Sequence, residues 1–323
     1  MLLTIIVVSC KEEVVIDQKE SQALEKASLM SLERENMLVF KSADALKGYI
    51  SELLETDTDL LDEARESAYE RGRVPLLLVY NLEAKEADGL GIKENEVAEV
   101  DSDDDMLLFL LNENGEIGIE DKIFRIDGEF VYSYSIGNSN DINNFTEEYQ
   151  AGKVKIRPGD RIVYSKSLTV YMHTNTAKEV EEGLMARGQH AYKYFDSNHR
   201  MKARQFNGYW GFYSSIGAKT LVQKKKKFLW WSHWNTVKTD NRLEYSVAFR
   251  SSVTPGFPGY PSSLNVAKTG HKYCNCNQAQ AIFSWSVGFP WAPEMYTPLE
   301  GQTKHWAHWY SSNPNTVSTT LYY

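Results

Sequence analysis

Asp105-Met-Leu-Leu-Phe-Leu-Leu-Asn112, Asn114-Gly115-Glu-Ile117-Gly-Ile119, Lys122-Ile-Phe-Arg-Ile126 and Asp127-Gly128-Glu-Phe-Val-Tyr-Ser-Tyr-Ser135 form the most legible stretch of the chain. Asp105 stands where a helix cap belongs, and an unbroken apolar run follows it. Asn114-Gly115 turns the chain. Ile117 and Ile119 then alternate as a half-buried strand does, and Phe124 and Ile126 repeat the period on the next strand. Asp127-Gly128 reads as a two-residue hairpin turn, because such turns take residues that tolerate positive φ. A short helix running into a β-meander fixes this part as α+β.

Upstream, Ser42 is placed to cap a helix carrying Leu46, Ile50, Leu53 and Leu54 on one face. Asp57 is the expected cap of a second helix with Leu60, Leu61, Ala64 and Ala68 inward, and Gly72 its stop. Pro75 to Tyr80 reads as a strand or the last turn of buried structure, and residues 81–105 as an acidic loop. Residues 136–150 are polar and turn-rich, so the domain boundary is expected there.

Downstream the pattern is β. Arg157-Pro-Gly-Asp160 turns into a strand at 161–172, and a helix is expected at 177–187. Aromatic and β-branched runs at 201–213, 216–223, 228–236, 242–251 and 279–286 are separated by Gly, Pro and Asn, as in a sandwich or open barrel. Pro255, Pro258 and Pro261 interleave with Gly256 and Gly259 in one long loop. The fold expected is a small acidic helix-plus-hairpin domain at 37–150, then a mostly antiparallel β-sandwich-like domain at 151–323.

Charge divides at the same place. Residues 1–150 carry 13 Lys+Arg against 35 Asp+Glu, a net of −22, and residues 151–323 carry 22 against 9, a net of +13. All 8 tryptophans lie in the second half, from Trp210 to Trp309. Such asymmetry points to two units that attract each other electrostatically. With 3 cysteines in 323 residues, no disulfide framework is available.

The N-terminus carries an address. The apolar run Leu2 to Val8 is too short to span a bilayer. It ends in Ser9-Cys10 and is followed by Lys11-Glu12-Glu13, which reads as an export signal with a lipobox at residues 1–10. Cys10 would then carry the lipid, residues 11–36 would be a tether, and the chain would sit on the outer membrane without crossing it. The plainer alternative is a hydrophobic first strand ending in a buried cysteine. In an exported setting nucleic acid is not an expected partner of the basic half.

The phrases Leu110-Leu-Asn-Glu-Asn-Gly-Glu-Ile117 and Asp121-Lys-Ile-Phe-Arg-Ile126 resemble a segment of uncharacterised Bacteroidota lipoproteins that belong to a domain-of-unknown-function family. Ser215-Ile-Gly-Ala-Lys219, Gln223 to Lys227 and Trp230-Trp231 are similar to the same proteins. Lys11-Glu12-Glu13 resembles the acidic tag by which such lipoproteins reach the cell surface. The resemblance implies an envelope location and a helix-plus-hairpin architecture. It implies no catalytic residue.

Five groups of residues carry candidate chemistry. Asp101, Asp103 and Asp105 have alternate-acid spacing, but Met106 and Asn112 stand where a calcium loop needs Gly and Glu. A solvated loop ending in a helix cap is the expectation. His271, Cys274 and Cys276 with His305 and His308 make an incomplete zinc pattern. Buried thiols are expected there, a bridge between two such close cysteines being strained. Lys224, Lys225, Lys226 and Lys227 precede Trp230, Trp231 and Trp234, a set suited to an anionic surface or glycan; alternatively the lysines guard an edge and the rings fill the core. Tyr209, Trp210, Trp285, Trp291, Trp306, Trp309 and Tyr310 include candidates for sugar stacking, against the alternative of a packed core. Last, Asp160, Asp196, Asp240, Glu244, Glu294 and Glu300 are the carboxyls of the β half, with no spacing that suggests a glycosidase pair.

No nucleophile elbow, zinc-protease helix or phosphate loop is present. No cofactor or metal is expected. The function expected is binding or structural, toward glycan, envelope polymer or envelope protein. The alternative is a surface hydrolase acting on polysaccharide or peptidoglycan.

Overall fold

A computed structural model describes residues 36–82, 84–92, 97–100, 102–135, 137, 139–173, 189–228, 231–252, 263–288, 294–310 and 315–323. The expected signal at 1–10, the tether to residue 35, the helix at 177–187, the proline loop, Trp230 and Trp291 lie outside the described residues. The fold is β-rich, with three sheets. No helix among the described residues is long and apolar enough to cross a membrane.

The first sheet has six strands in the order β1-β2-β3-β4-β6-β5. They are β1 (Val39–Phe40), β2 (Glu116–Ile119), β3 (Lys122–Asp127), β4 (Phe130–Ser135), β5 (Arg161–Val163) and β6 (Leu168–Met172). The expected meander is β2-β3-β4. Its second hairpin closes one residue later than the sequence suggests. Asp127 pairs with Phe130, so Gly128 and Glu129 form the turn, and Gly128 alone takes positive φ, at 58°. The preceding turn puts Glu120 at φ 58°. β5 and β6 join this sheet through β4, so it runs past the boundary expected at residue 150.

Helices α1 (Ala43–Glu55), α2 (Leu60–Arg71), α3 (Leu76–Val79), α4 (Ala84–Gly89) and α5 (Asp105–Leu110) precede the meander. Ser42 caps α1 by accepting from the Ala45 amide. Asp59, not Asp57, caps α2, accepting from the amides of Leu61 and Asp62. Asp57 instead sits at φ 51° in the turn before it. Gly72 ends α2 at φ 71° as expected. Leu54 is exposed, while Leu46, Ile50 and Leu53 enter the core. α6 (Asn140–Gln150) occupies the stretch expected to be turns. Its Asn and Asp content disguises it; Ile142 and Phe145 hold it on the far face of the sheet, against Tyr132 and Val170.

The remaining strands make a two-layer sandwich. One sheet orders β10 (Trp231–Val237), β9 (Tyr213–Phe228), β8 (His199–Tyr209) and β7 (His190–Tyr194), with β13 (Gln278–Val287) also on β9. The other orders β12 (Leu264–Cys276), β11 (Thr239–Ser252), β14 (Met295–His308) and β15 (Thr316–Tyr322). Ile216, Ala218, Leu243, Phe249 and Phe283 pack between the layers at one end, and Met201, Val222, Ala307 and Leu321 at the other. A larger core joins the helices to Phe124, Ile126 and Val131, and takes in Trp210, Phe212 and Tyr213 from the β8–β9 turn.

Of the acidic run expected to be solvated, Asp104 and Asp105 are buried at this junction and Asp103 is half-buried; Asp101 lies outside the described residues. Asp104 caps α5 and accepts from the Tyr213 hydroxyl at 2.7 Å and the Ser215 hydroxyl at 2.5 Å. Asp103 pairs with Lys202 at 3.3 Å and with Arg204. Asp105 pairs with Lys219 at 2.9 Å. The opposed charges of the two halves meet in these contacts. Burial alone would raise the Asp103 carboxyl, but its three cationic neighbours hold it down at about 2.

Candidate binding faces of the sandwich

Each sandwich sheet turns alternate residues inward and outward. On β11, residues 239, 241, 243, 247, 249 and 251 are buried, so Asp240, Arg242 and Glu244 face out. The register sets Tyr273 of β12, Arg242 of β11, Trp306 of β14 and Ser318 of β15 in one row across that outer face. The Arg242 guanidinium lies 4.2 Å from the centre of the Tyr273 ring and 4.9 Å from that of Trp306. It donates to Glu244 at 2.6 Å, and the Tyr273 hydroxyl donates to the same carboxylate at 2.5 Å. His271 stacks on Tyr273, ring centres 4.8 Å apart. In the neighbouring row Asp240 accepts from Asn275 at 2.9 Å and from the Tyr310 hydroxyl.

These bonds set the protonation states. Donation from Tyr310 and Asn275 holds the Asp240 carboxyl below the ordinary range. Donation from Tyr273 and Arg242 does the same for Glu244. The acceptor role of Glu244 pushes the Tyr273 hydroxyl up, and that of Asp240 pushes Tyr310 up. The face therefore presents fixed carboxylates, neutral phenols and a clamped guanidinium around an open depression of about 620 Å³, lined by Asp240, Arg242, Asn275, Trp306, His308 and Tyr310. Trp306 is half-buried, and the row ends beside it at Ser318. Oriented polar groups beside an available indole can hydrogen-bond sugar hydroxyls and stack on a sugar ring.

The opposite outer face, on β7 to β10, repeats the motif with a different charge. The Arg200 guanidinium lies 4.1 Å from the Tyr192 ring centre and 4.0 Å from that of Trp234. Its Nε donates to Gln223 at 2.9 Å. The Lys225 ammonium stands 5.9 Å from the Trp234 ring centre, and Tyr194 meets the same indole at 6.1 Å. Among the described residues no carboxylate pairs with Arg200 or Lys225. Farther along this face Lys202, Arg204 and Lys219 are occupied by Asp103 and Asp105.

The sequence candidates thus separate. Trp234 and Trp306 lie on opposite outer faces. Trp309 stacks on His199, ring centres 4.2 Å apart, and packs against the core of Met201 and Val222. Lys224 is exposed near the far end of β9. Lys226, Lys227 and Trp231 enter the β9–β10 ladder by their backbones. Cys274 and Cys276 are joined in a disulfide. They share one side of β12, with Cα atoms 5.3 Å apart, inside the usual range for a bridge. The histidines do not gather there: His271 lies on the other side of β12, His305 is buried and His308 faces out. Among the described residues no group of three metal-binding side chains occurs. Arg242, Tyr273, Arg200, Tyr192 and Tyr194 escaped sequence reading. Their signal is polar or aromatic alternation at every second residue, as in Asp240-x-Arg242-x-Glu244 and His271-x-Tyr273-x-Asn275.

No family model, curated protein or solved structure matches this chain.

Proposed function

We propose that the chain is a cell-envelope lipoprotein, anchored through Cys10 to the outer membrane, that binds a polymeric glycan of the envelope or its surroundings. The resemblance to Bacteroidota lipoproteins and the lipobox support the location. In this reading the acidic helix-plus-hairpin part carries the β-sandwich, and the sandwich carries the binding face. One observation carries the binding role: the Tyr273–Arg242–Trp306 row, whose polar partners are already fixed before any ligand arrives. Preorganised groups lose little entropy on binding.

Affinity electrophoresis against neutral polysaccharides and peptidoglycan fragments tests it. Trp306→Ala should abolish retardation by the bound polymer while circular dichroism stays unchanged. Retardation indifferent to Trp306, or none with any polymer, overturns the reading. For the anchor, Cys10→Ala should release the protein from membranes and end palmitate labelling.

The Tyr192–Arg200–Trp234 ladder with Lys225 favours a second role, contact with an anionic envelope polymer. Binding to a polyuronate should weaken with added salt and fall with Arg200→Ala.

A further inference from the structure

A cleft of about 520 Å³ separates the α1–α2 turn from β12 and β13. Leu53 lines it from α1, Gln278 and Ile282 from β13, and Tyr245 from β11. Its rim carries Asp57 and Lys272, whose carboxylate and ammonium meet at 2.5 Å. The size lies within the range of small-molecule sites, about 300–1,000 Å³.

Two polar groups in this cleft lack partners. Gln278 is 9% exposed, and its amide makes no hydrogen bond among the described residues. The Tyr245 hydroxyl makes none either. The Tyr245 ring is held against Phe283, ring centres 4.7 Å apart, and its hydroxyl takes the space a side chain at Gly270 would fill. Both groups open onto the cleft, where each can bond a ligand or water. The wall holding Gln278 is rigid. The neighbouring Asn277 donates its backbone amide to Asp59 at 3.0 Å and its side chain to Asp62 at 2.9 Å.

We propose that the cleft binds a neutral sugar unit. The Gln278 amide offers a donor and an acceptor, and the Tyr245 hydroxyl can serve as either. Leu53 and Ile282 supply an apolar wall for the ring's C–H face. Asp57 and Lys272 satisfy each other at the rim, so neither a free anion nor a free cation finds an unpaired counter-charge. The cleft adjoins the Trp306 face, with which it shares Tyr273, whereas Leu53, Tyr245 and Gln278 line the cleft and not the Trp306 depression.

Saturation-transfer NMR on the full chain tests the proposal, with glucose, N-acetylglucosamine and cellobiose as probes and glucuronate and glucosamine as charged controls. Saturable binding of a neutral probe is expected. Gln278→Leu and Tyr245→Phe should each weaken it roughly tenfold, the loss of about one hydrogen bond to the ligand. Tyr245→Phe should keep the polymer retardation that Trp306→Ala abolishes, which separates loss of this site from loss of the polymer face. Tyr245→Phe removes one oxygen, so its result stands even if Gln278→Leu does not fold. No saturable signal, equal binding of the charged controls, or binding indifferent to Tyr245→Phe would overturn the assignment and leave the cleft to water.

Discussion

The Lys219 ammonium lies 2.9 Å from the Asp105 carboxylate, and their side chains are 6% and 3% exposed. One belongs to the middle of β9 and the other to the first turn of α5, so the pair joins the acidic and basic halves. Burial still pushes the Asp105 carboxyl up to about 6, against the pull of Lys219. Desolvation therefore outweighs attraction, and the pair specifies how the halves dock more than it stabilises them. Lys219→Met should cost about 3–5 kcal/mol in urea denaturation, because it leaves a buried carboxylate alone. Adding Asp105→Leu should restore most of that loss. A double variant as unstable as the single one would contradict this account.

His305 gives the fold an acid limit. Its Nδ1 lies 2.8 Å from the Thr220 hydroxyl and its Nε2 2.8 Å from the Thr303 hydroxyl. Thr220 donates onward to the Arg242 carbonyl, and Gln205 donates to Thr303. Thr220 gives its proton to the Arg242 carbonyl and so accepts from Nδ1–H, while Thr303 can donate to Nε2, which fixes the tautomer of the neutral ring. Burial pushes the imidazole down to about 3. Its folded value is below the unfolded one, so its contribution is complete above about pH 6.5 and is lost as pH falls toward 3, by about 1.4 kcal/mol per unit. Urea titrations across that window should show the slope, and His305→Gln should flatten it.

Local chemistry made the first half legible: Ser42, Gly72 and the Asp105 to Ser135 stretch announce caps, stops and turns within a few residues. The cap at Asp59 was missed because Asp57 offers the same chemistry two residues earlier, and tertiary pairing with Lys272 decides between them. β12, β14 and β15 were missed because they alternate polar and aromatic residues on an open face, which lacks the apolar period of a core strand. Their partners lie far away in sequence, so neither the Tyr273–Arg242–Trp306 row nor the burial of Asp104 by Tyr213 and Ser215 has a local signal.

Gly217 marks a tight approach of fixed groups in the sandwich. A Cβ there would lie 2.5 Å from the Ala281 carbonyl oxygen and 2.5 Å from the Phe206 ring. Both neighbours are fixed, one by the β9–β13 ladder and the other by the core. Gly217→Ala should therefore destabilise by about 1–3 kcal/mol, the usual cost of overpacking. Gly48, whose Cβ would meet nothing within 4 Å, is the control; Gly48→Ala in the middle of α1 should stabilise by roughly 0.5–1 kcal/mol. Thermal melts that rank the two the other way would refute the packing described.

Asp59 serves two structures at once. It accepts from the Leu61 and Asp62 amides as the cap of α2, and from the backbone and side chain of Asn277 beside the cleft. Losing the cap costs about 1 kcal/mol, and losing the bonds to Asn277 adds about 1 kcal/mol more. Asp59→Ala should thus cost about 2 kcal/mol and Asn277→Ala about half of that. Because both remove the side-chain bond between Asn277 and Asp59, the double variant should be less unstable than the sum, with a coupling of about 0.5–1 kcal/mol in a double-mutant cycle. A coupling of zero would mean that the Asn277 side chain does not hold the β12–β13 turn to α2, and the cleft beside it would lose that support of its wall.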